Sequence, residues 1–402
     1  MMLMIGRGSR ALLGLALASA SLVLAGCATP KPYVPASTAE LPFEQAVAQA
    51  ANGVIDQARA LIAFRFGLGR HGVVVDPMLD ASTGQQTAAT QALEQRVTQR
   101  LAAGLAGAEF LPFQSASLAK ADYLLTGTFA RTLDGRSRGS LRLNLALTDL
   151  KSGLVVAQAW AMTRDEGLDG TPLRYYGDSP VLVRDRVVDG YIATTATAAG
   201  QPADPYYLKR IAVASVINDA TGLYNAERYP ESLERYGAAR AADGGEQLRV
   251  LTGLYLNLAK LGKTAEADEA FGTLAAYGIA NDQLRVKFLF NPGSTVFWSD
   301  PKVSGPYAMW LRQIAKEGTT TAKTCMGVVG HTSRTGSEAL NDALSLERAG
   351  FIRQRLIVES GAIADRSQAQ GRGYRENIIG SGTDDAVDAL DRRVEFKVTP
   401  CT

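Results

Sequence analysis

Residues 11–26, ALLGLALASASLVLAG, form a continuous apolar or small-residue stretch, and it decides in which compartment the rest of the chain must fold. The ten residues before it carry Arg7 and Arg10 and no acid. A basic start followed by a short apolar core is the pattern of a secretory signal. Crossing a bilayer takes about 20 apolar residues, so this run is short for a permanent span. No later stretch is long and apolar enough to span, so the remaining chain is expected to be soluble and exported. With 402 residues, 46% of them hydrophobic and 20% charged, it has room for two or three domains and is too apolar for disorder. Lys and Arg total 42 against 40 acids, a balance that argues against nucleic-acid binding. Three cysteines are too few for a disulfide scaffold, and two histidines exclude a His-rich metal site.

The apolar run ends in Leu24-Ala25-Gly26-Cys27, which resembles the bacterial lipobox. That resemblance implies cleavage before Cys27 and lipid, palmitate included, on its thiol. Two or more acyl chains give stable anchoring, at roughly 0.8 kcal/mol per buried methylene. Ala28, rather than Asp, follows the cysteine. By resemblance to sorted lipoproteins this favours the outer membrane, with the chain facing the periplasm. The expected division is a signal at 1–26, a lipidated, Pro-rich tether at 27–42, an α/β domain at 43–163, an irregular linker at 164–206, helices at 207–280 and a C-terminal domain at 281–402. Pro30, Pro32, Pro35 and Pro42 make the tether extended, with a reach on the order of 45 Å.

Within 43–163 the periodicity predicts a helix over 43–66, a β-branched strand at Val73–Val75 and a second helix over 86–107. Strands follow at 109–113, 121–131, 141–150 and 154–162, the last two joined by the Lys151-Ser152-Gly153 turn. Strand, helix, strand and hairpin imply a small α/β domain. The ADYLLTGTF and LTDLKSG stretches resemble periplasmic lipoprotein domains of the CsgG type and the penicillin-binding-protein activators. Tyr175-Tyr176 and Tyr206-Tyr207 in the linker either pack it onto a domain, the preferred reading, or mark a binding surface. Between 207 and 280, Tyr229, Ser232, Tyr236 and Ala239 recur as Thr264, Ala267, Phe271 and Leu274. This spacing fits one helix face and resembles tetratricopeptide repeats. About two such units need a packing partner, either the flanking domains or another envelope protein.

The C-terminal part carries the sharpest pattern. A strand ends in Gly330-His331-Thr332-Ser333, and a helix follows with Asn341-x-x-Leu344-Ser345-x-x-Arg348-Ala349. Gly371-x-Gly373 and a final strand opening Arg392-Arg393-Val394-Glu395-Phe396 complete it. In this order the four motifs resemble OmpA-like peptidoglycan-binding domains, an α+β fold with a mixed sheet. The resemblance implies a grip on the zwitterionic end of diaminopimelate in the peptide stem, through Thr332, Ser333, Asn341, Leu344, Arg348, Arg392 and Arg393. Arg348 stands at the family's arginine, whose planar fork matches a carboxylate. The family's usual acid is replaced by Ser333, and losing such a charge-assisted bond costs about 1.5–3 kcal/mol. Asp391 stands where the family often has Asn before the two arginines, a place from which the resemblance lets it compensate, and His331 reads as structural. The family's strand arrangement also implies that Cys325 and Cys401 meet, and the periplasm would oxidise them to a disulfide.

No enzyme pattern is present. Gly318–Lys323 lacks the Gly-Lys pair of a P-loop, and no nucleophile–His set is identifiable. The fold expectation is therefore multidomain α/β: a small α/β domain, tetratricopeptide-like hairpins and an OmpA-like domain. The functional expectation is a non-enzymatic outer-membrane lipoprotein that needs no cofactor or metal, binds peptidoglycan and links membrane to wall. The alternative is a scaffold or regulator of wall synthesis or secretion whose C-terminal domain binds wall weakly or not at all.

Overall fold

The β-branched run at Val73–Val75 and the alternating run at 121–131 become neighbours in one mixed sheet. The computed structural model describes residues 33–61, 64, 69–131, 140–164, 166–291, 293–320, 324–378 and 391–401; Cys27 and the expected signal lie outside them. The strands are β1 (Glu40–Leu41), β2 (His71–Val75), β3 (Leu79–Asp80), β4 (Ala108–Pro112), β5 (Ala121–Arg131), β6 (Ser140–Asp149) and β7 (Val155–Arg164). Their order is β1-β7-β6-β5-β2-β4, with β3 also on β5. β5, β6 and β7 are antiparallel, while β2 runs parallel to both β4 and β5. The chain leaves β2, forms β4 on one side of it and returns to β5 on the other, so the winding reverses at β2.

Both faces of this sheet are covered. Helix α1 (Phe43–Ala58) lays Ala46, Ala50 and Ala58 against Ala157, Ala159 and Ala161 of β7, small residues that let helix and strand approach closely. Gln57 Nε2 donates to Gln158 O at 2.7 Å along that seam. Helix α2 (Ala88–Gly104) opens with a reciprocal cap: Thr90 N donates to Thr87 Oγ1 at 3.2 Å, and Thr87 N to Thr90 Oγ1 at 2.9 Å. Helix α3 (Arg186–Ala196) covers the opposite face with Val187, Val188 and Tyr191. Asp185 caps it, accepting from Val187 N and Val188 N.

Two expectations change here. The described part of the tether is docked instead of extended. Ser37 and Gln49 exchange hydrogen bonds of 3.0 and 2.8 Å, and β1 pairs with β7. The span 164–206 is not simply irregular, because α3 lies within it. Its sequence holds Gly190 and two threonines, poor helix formers whose propensity is outweighed by buried packing. The same span also joins the C-terminal sheet: Leu182 N donates to Arg285 O and Lys287 N to Pro180 O, both at 2.9 Å. Tyr175, Tyr176 and Tyr207 are buried, and Tyr206 stays partly exposed under the guanidinium of Arg210.

Helices α4 (Ile211–Asn225), α5 (Tyr229–Ala241), α6 (Leu248–Lys260) and α7 (Thr264–Ala280) pack in succession. Of the repeated positions, Ser232, Tyr236 and Ala239 and their counterparts Ala267, Phe271 and Leu274 are buried. The partner they need is supplied by the chain itself. On helix α8 (Tyr307–Thr320), Trp310 stacks on Phe271 at 5.5 Å and donates to Tyr255 Oη at 2.8 Å. One hydrophobic core therefore runs from Tyr175 through these helices to Phe396.

The second sheet is four-stranded and mixed, in the order β10-β9-β11-β8. Its strands are β8 (Arg285–Val286), β9 (Thr324–Gly330), β10 (Ser367–Gly371) and β11 (Val394–Pro400). β9 is parallel to β10 and antiparallel to β11. Helix α9 (Glu338–Glu359) packs on it through Ala349, Ile352 and Leu356. Thr399 pairs with Cys325, so Cys401 lies just past the strand end. Cys325 and Cys401 form a disulfide with Cα atoms 4.9 Å apart.

Candidate functional site

The glycines of the C-terminal pattern sit where α9 presses on the strand ends. A Cβ on Gly330 would stand 2.1 Å from the Ser345 carbonyl oxygen, and one on Gly371 would stand 2.6 Å from Ser345 Oγ. Gly373, at φ +53°, donates its N–H to Ser345 Oγ at 2.9 Å and accepts from Thr332 N at 3.0 Å. Ser345 thus pins the loop after β10 to the loop after β9. Asn341, four residues earlier on α9, donates to Thr335 O at 2.7 Å and Ser337 O at 3.0 Å. Thr335 Oγ1 in turn lies 3.2 Å from Ser333 Oγ. Thr332, Ser333, Asn341 and Ser345 are therefore held as one unit, with the half-buried Leu344 beside them.

Arg348 follows Ser345 on the buried face of α9 and is 2% exposed. Its Nε donates to Ser294 O at 3.1 Å and its Nη2 to Asn291 O at 3.3 Å, while Cζ lies 4.9 Å from the centre of the Phe290 ring. These partners belong to a turn in which Trp298 N donates to Leu289 O and Asn291 N to Val296 O. Its rim carries the exposed side chains of Val296 and Trp298. The two carbonyls were invisible to sequence reading, since any residue offers one; the signal within reach was Phe290, an aromatic face for a cation.

The two arginines before β11 differ in burial. Arg392 is half-buried. Arg393 turns to the sheet face away from α9, where Nε and Nη2 donate to Glu395 Oε1 at 2.8 and 2.7 Å. Alternation along the strand carries Arg393 to Glu395, two residues on. Asp391 is buried and accepts from Ile378 N at 2.6 Å through Oδ1, a structural bond. His331 is fully buried beside Glu395, with a ring nitrogen 3.9 Å from its carboxylate. Burial, then the charge of Arg393, pushes its pKa down to about 3, so it stays neutral.

His331, Glu376 and Glu395 bring one possible ligand atom each within 4.8 Å of one another. Arg393 and Arg285 already face Glu395, and Arg372 and Lys397 approach Glu376 at 3.5 and 3.8 Å. A divalent cation would meet four positive groups there, so the cluster is an ion-pair network more than a metal site.

No family model matches the chain. Over 78 residues, 19% of the chain, it is 37% identical to the probable lipoprotein YiaD of Escherichia coli (strain K12). The matched stretch spans 35% of that protein, about a third of its length. Among solved structures, the peptidoglycan-associated lipoprotein of Burkholderia pseudomallei aligns at 22% identity over 28% of this chain and 88% of its own, with a TM-score of 0.25. The periplasmic domain of Helicobacter pylori MotB aligns at 19% identity over 30% of this chain and 72% of its own, with a TM-score of 0.24. The chain's similarities are thus to a lipoprotein and to envelope domains, and they extend over about a third of it or less. These proteins lend nothing to the tetratricopeptide or CsgG-type resemblances.

Proposed function

We propose that the protein is a non-enzymatic envelope lipoprotein whose C-terminal domain binds the peptide stem of peptidoglycan, linking the outer membrane to the wall through acylated Cys27. The observation that carries this reading is the unit built on α9: the Thr332-Ser333 loop tied through Thr335 to Asn341, with Arg348 two turns further along the same buried face. Arg348 donates to two neutral carbonyls. A stem carboxylate that replaces them brings an opposite charge and a bidentate geometry matched to the guanidinium fork. Entry requires the 289–298 turn to yield, which exposes the guanidinium to the ligand.

A second reading is favoured by the same residues. Arg348 is buried under that turn and Ser333 carries no charge, so the domain would serve as a scaffold with weak wall binding or none. Pull-down on purified sacculi separates the two, using the mature chain without its acyl groups. In the first reading wild type is retained, Arg348→Ala is lost and Ser333→Asp is retained more tightly, by roughly tenfold or more. Equal retention of all three, or of none, supports the scaffold. For the anchor, Cys27→Ser is expected to leave the outer-membrane fraction; a mutant that stays there at the mature mass overturns the lipid assignment.

A further inference from the structure

The first sheet ends in two edges that are treated differently. At one edge, β1 pairs with Met162 and Thr163 of β7, and the Gln57 side chain answers the backbone of Gln158, donating to its C=O at 2.7 Å and accepting from its N–H at 3.2 Å. At the other edge, β4 is bonded to β2 alone. Alternate residues of a strand bond to alternate sides. His71 N donates to Gly107 O at 2.8 Å, and with His71 opposite Ala108 this register gives β2 the backbone of Glu109 and Leu111. Phe110, between them, is turned outward. Ala108 N donates to Leu105 O, while Pro112 has no N–H and accepts from Gln114 N, so the open stretch is short. Three backbone groups remain on it, Phe110 N–H, Phe110 C=O and Ala108 C=O, with no bonded partner among the described residues.

The two faces beside that edge differ in chemistry. Phe110 packs on the core under α2, and Leu111 on the core under α3. On the Phe110 side, a cleft of about 370 Å³ lies between α2 and the strand. Its walls include Val75, Phe113 and Leu173, with Gln91 and Thr98 from α2. Glu94 also lines it, turned to Met78 N at 3.1 Å. On the other side, Arg70, Glu109, Leu111 and Lys120 line a smaller hollow of about 200 Å³. Lys120 runs so close to β2 that a Cβ on Gly72 would stand 2.5 Å from its carbonyl oxygen. Both cations are exposed, and Glu109, 3.9 Å from Arg70, answers one of them. This hollow therefore carries a positive charge in excess.

We propose that β4 receives one more strand: an extended segment of a partner protein, antiparallel to β4, with an apolar residue opposite Phe110 and an acidic residue on either side of it. The central residue exchanges two backbone hydrogen bonds with Phe110, and the residue two places further on donates to Ala108 O. The apolar side chain lies on the same face as Phe110 and enters the cleft; its acidic neighbours point to the face of Arg70 and Lys120. Main-chain bonds supply the affinity and the two faces supply the selectivity. The described N-terminal segment of this chain is committed to the opposite edge through β1. A second copy fits the edge less well. In a two-fold pair centred on Phe110 the third donor falls at Pro112, which has none; centred on Glu109, two carboxylates face each other. This site is independent of the wall-binding reading, because none of its residues belongs to the C-terminal sheet.

The test is a titration of the full mature chain, without its acyl groups, with acetyl-Thr-Asp-Leu-Asp-Thr-amide, read by ligand-observed saturation-transfer NMR at pH 7.5. Saturable binding is expected. Methylating the leucine nitrogen removes the donor to Phe110 O and keeps every side chain; it is expected to weaken binding by roughly tenfold or more. Replacing both aspartates with lysines is expected to weaken it by roughly threefold or more. Arg70→Glu/Lys120→Glu, at two exposed positions, is expected to reverse the preference between the aspartate and lysine peptides. No saturable binding up to about 1 mM, or equal binding of the parent and either altered peptide, overturns the proposal. So does a chain that sediments as a dimer and loses peptide binding as it associates, the result that assigns the edge to a second copy.

Discussion

Asp76 makes the folded state sensitive to pH. Burial lifts its folded pKa to about 7, whereas an unfolded Asp titrates near 3.9. Between those values the folded chain holds a proton that the unfolded chain releases. This contribution to stability is full below about pH 4 and is lost as pH rises to about 7. Urea unfolding of Asp76→Asn, which keeps an acceptor for Tyr207, is expected to lack this slope. Wild type should lose up to roughly 4 kcal/mol relative to the variant across that window. Parallel curves for the two proteins at pH 5 and pH 8 would show that Asp76 is not the titrating group. At the same scale, Ser333 could be read directly as an uncharged residue at an acid's place. The burial of Arg348 could not, because it depends on two backbone carbonyls that are more than fifty residues away.

At the scale of elements, β9 and α9 are held together by the absence of side chains. Gly330 has an ordinary backbone conformation, so Gly330→Ala tests contact and not strain. Its methyl group would meet the backbone of Ser345, which cannot move without shifting α9. A loss of about 1–3 kcal/mol is expected in chemical denaturation, together with weaker sacculus retention. A change under 0.5 kcal/mol would mean that α9 sits further from the strand. β9 and β11 are clamped at their far end by Cys325 and Cys401, which are 76 residues apart in sequence. Closing a loop of that length stabilises by roughly 4 kcal/mol in the chain-entropy model. A reductant should therefore lower the melting temperature of wild type and leave Cys325→Ser/Cys401→Ser unchanged. Finding two alkylatable thiols in the folded, unreduced protein would remove the clamp altogether.

At the scale of the whole molecule, the helices and the C-terminal sheet share one core. A break at 280/281 cuts through it: Trp310 loses Phe271 and Tyr255 as partners. A fragment of residues 281–402 is expected to melt well below one of residues 166–402, which keeps α7 and the 179–183 segment on β8. Equal melting temperatures would establish the C-terminal part as an independent unit.

The local patterns were legible because they depend on neighbours in sequence. The strand at 121–131 matches its predicted limits, and α2, β6, β7 and α9 appear close to where periodicity placed them. The glycine and serine positions of the C-terminal pattern could be recognised there, though their reason, the close approach of α9, could not. Whatever depends on distant partners was decided by tertiary structure. Helix α3 forms from weak helix formers because Val187, Val188 and Tyr191 find a sheet face to cover. The linker becomes part of a sheet because β8 offers an edge. Arg348 is enclosed, and Asp76 is buried against Tyr207, because chain segments far apart in sequence exclude water from them. Periodicity records which face of an element is apolar; only packing determines what that face meets and which charged groups it buries.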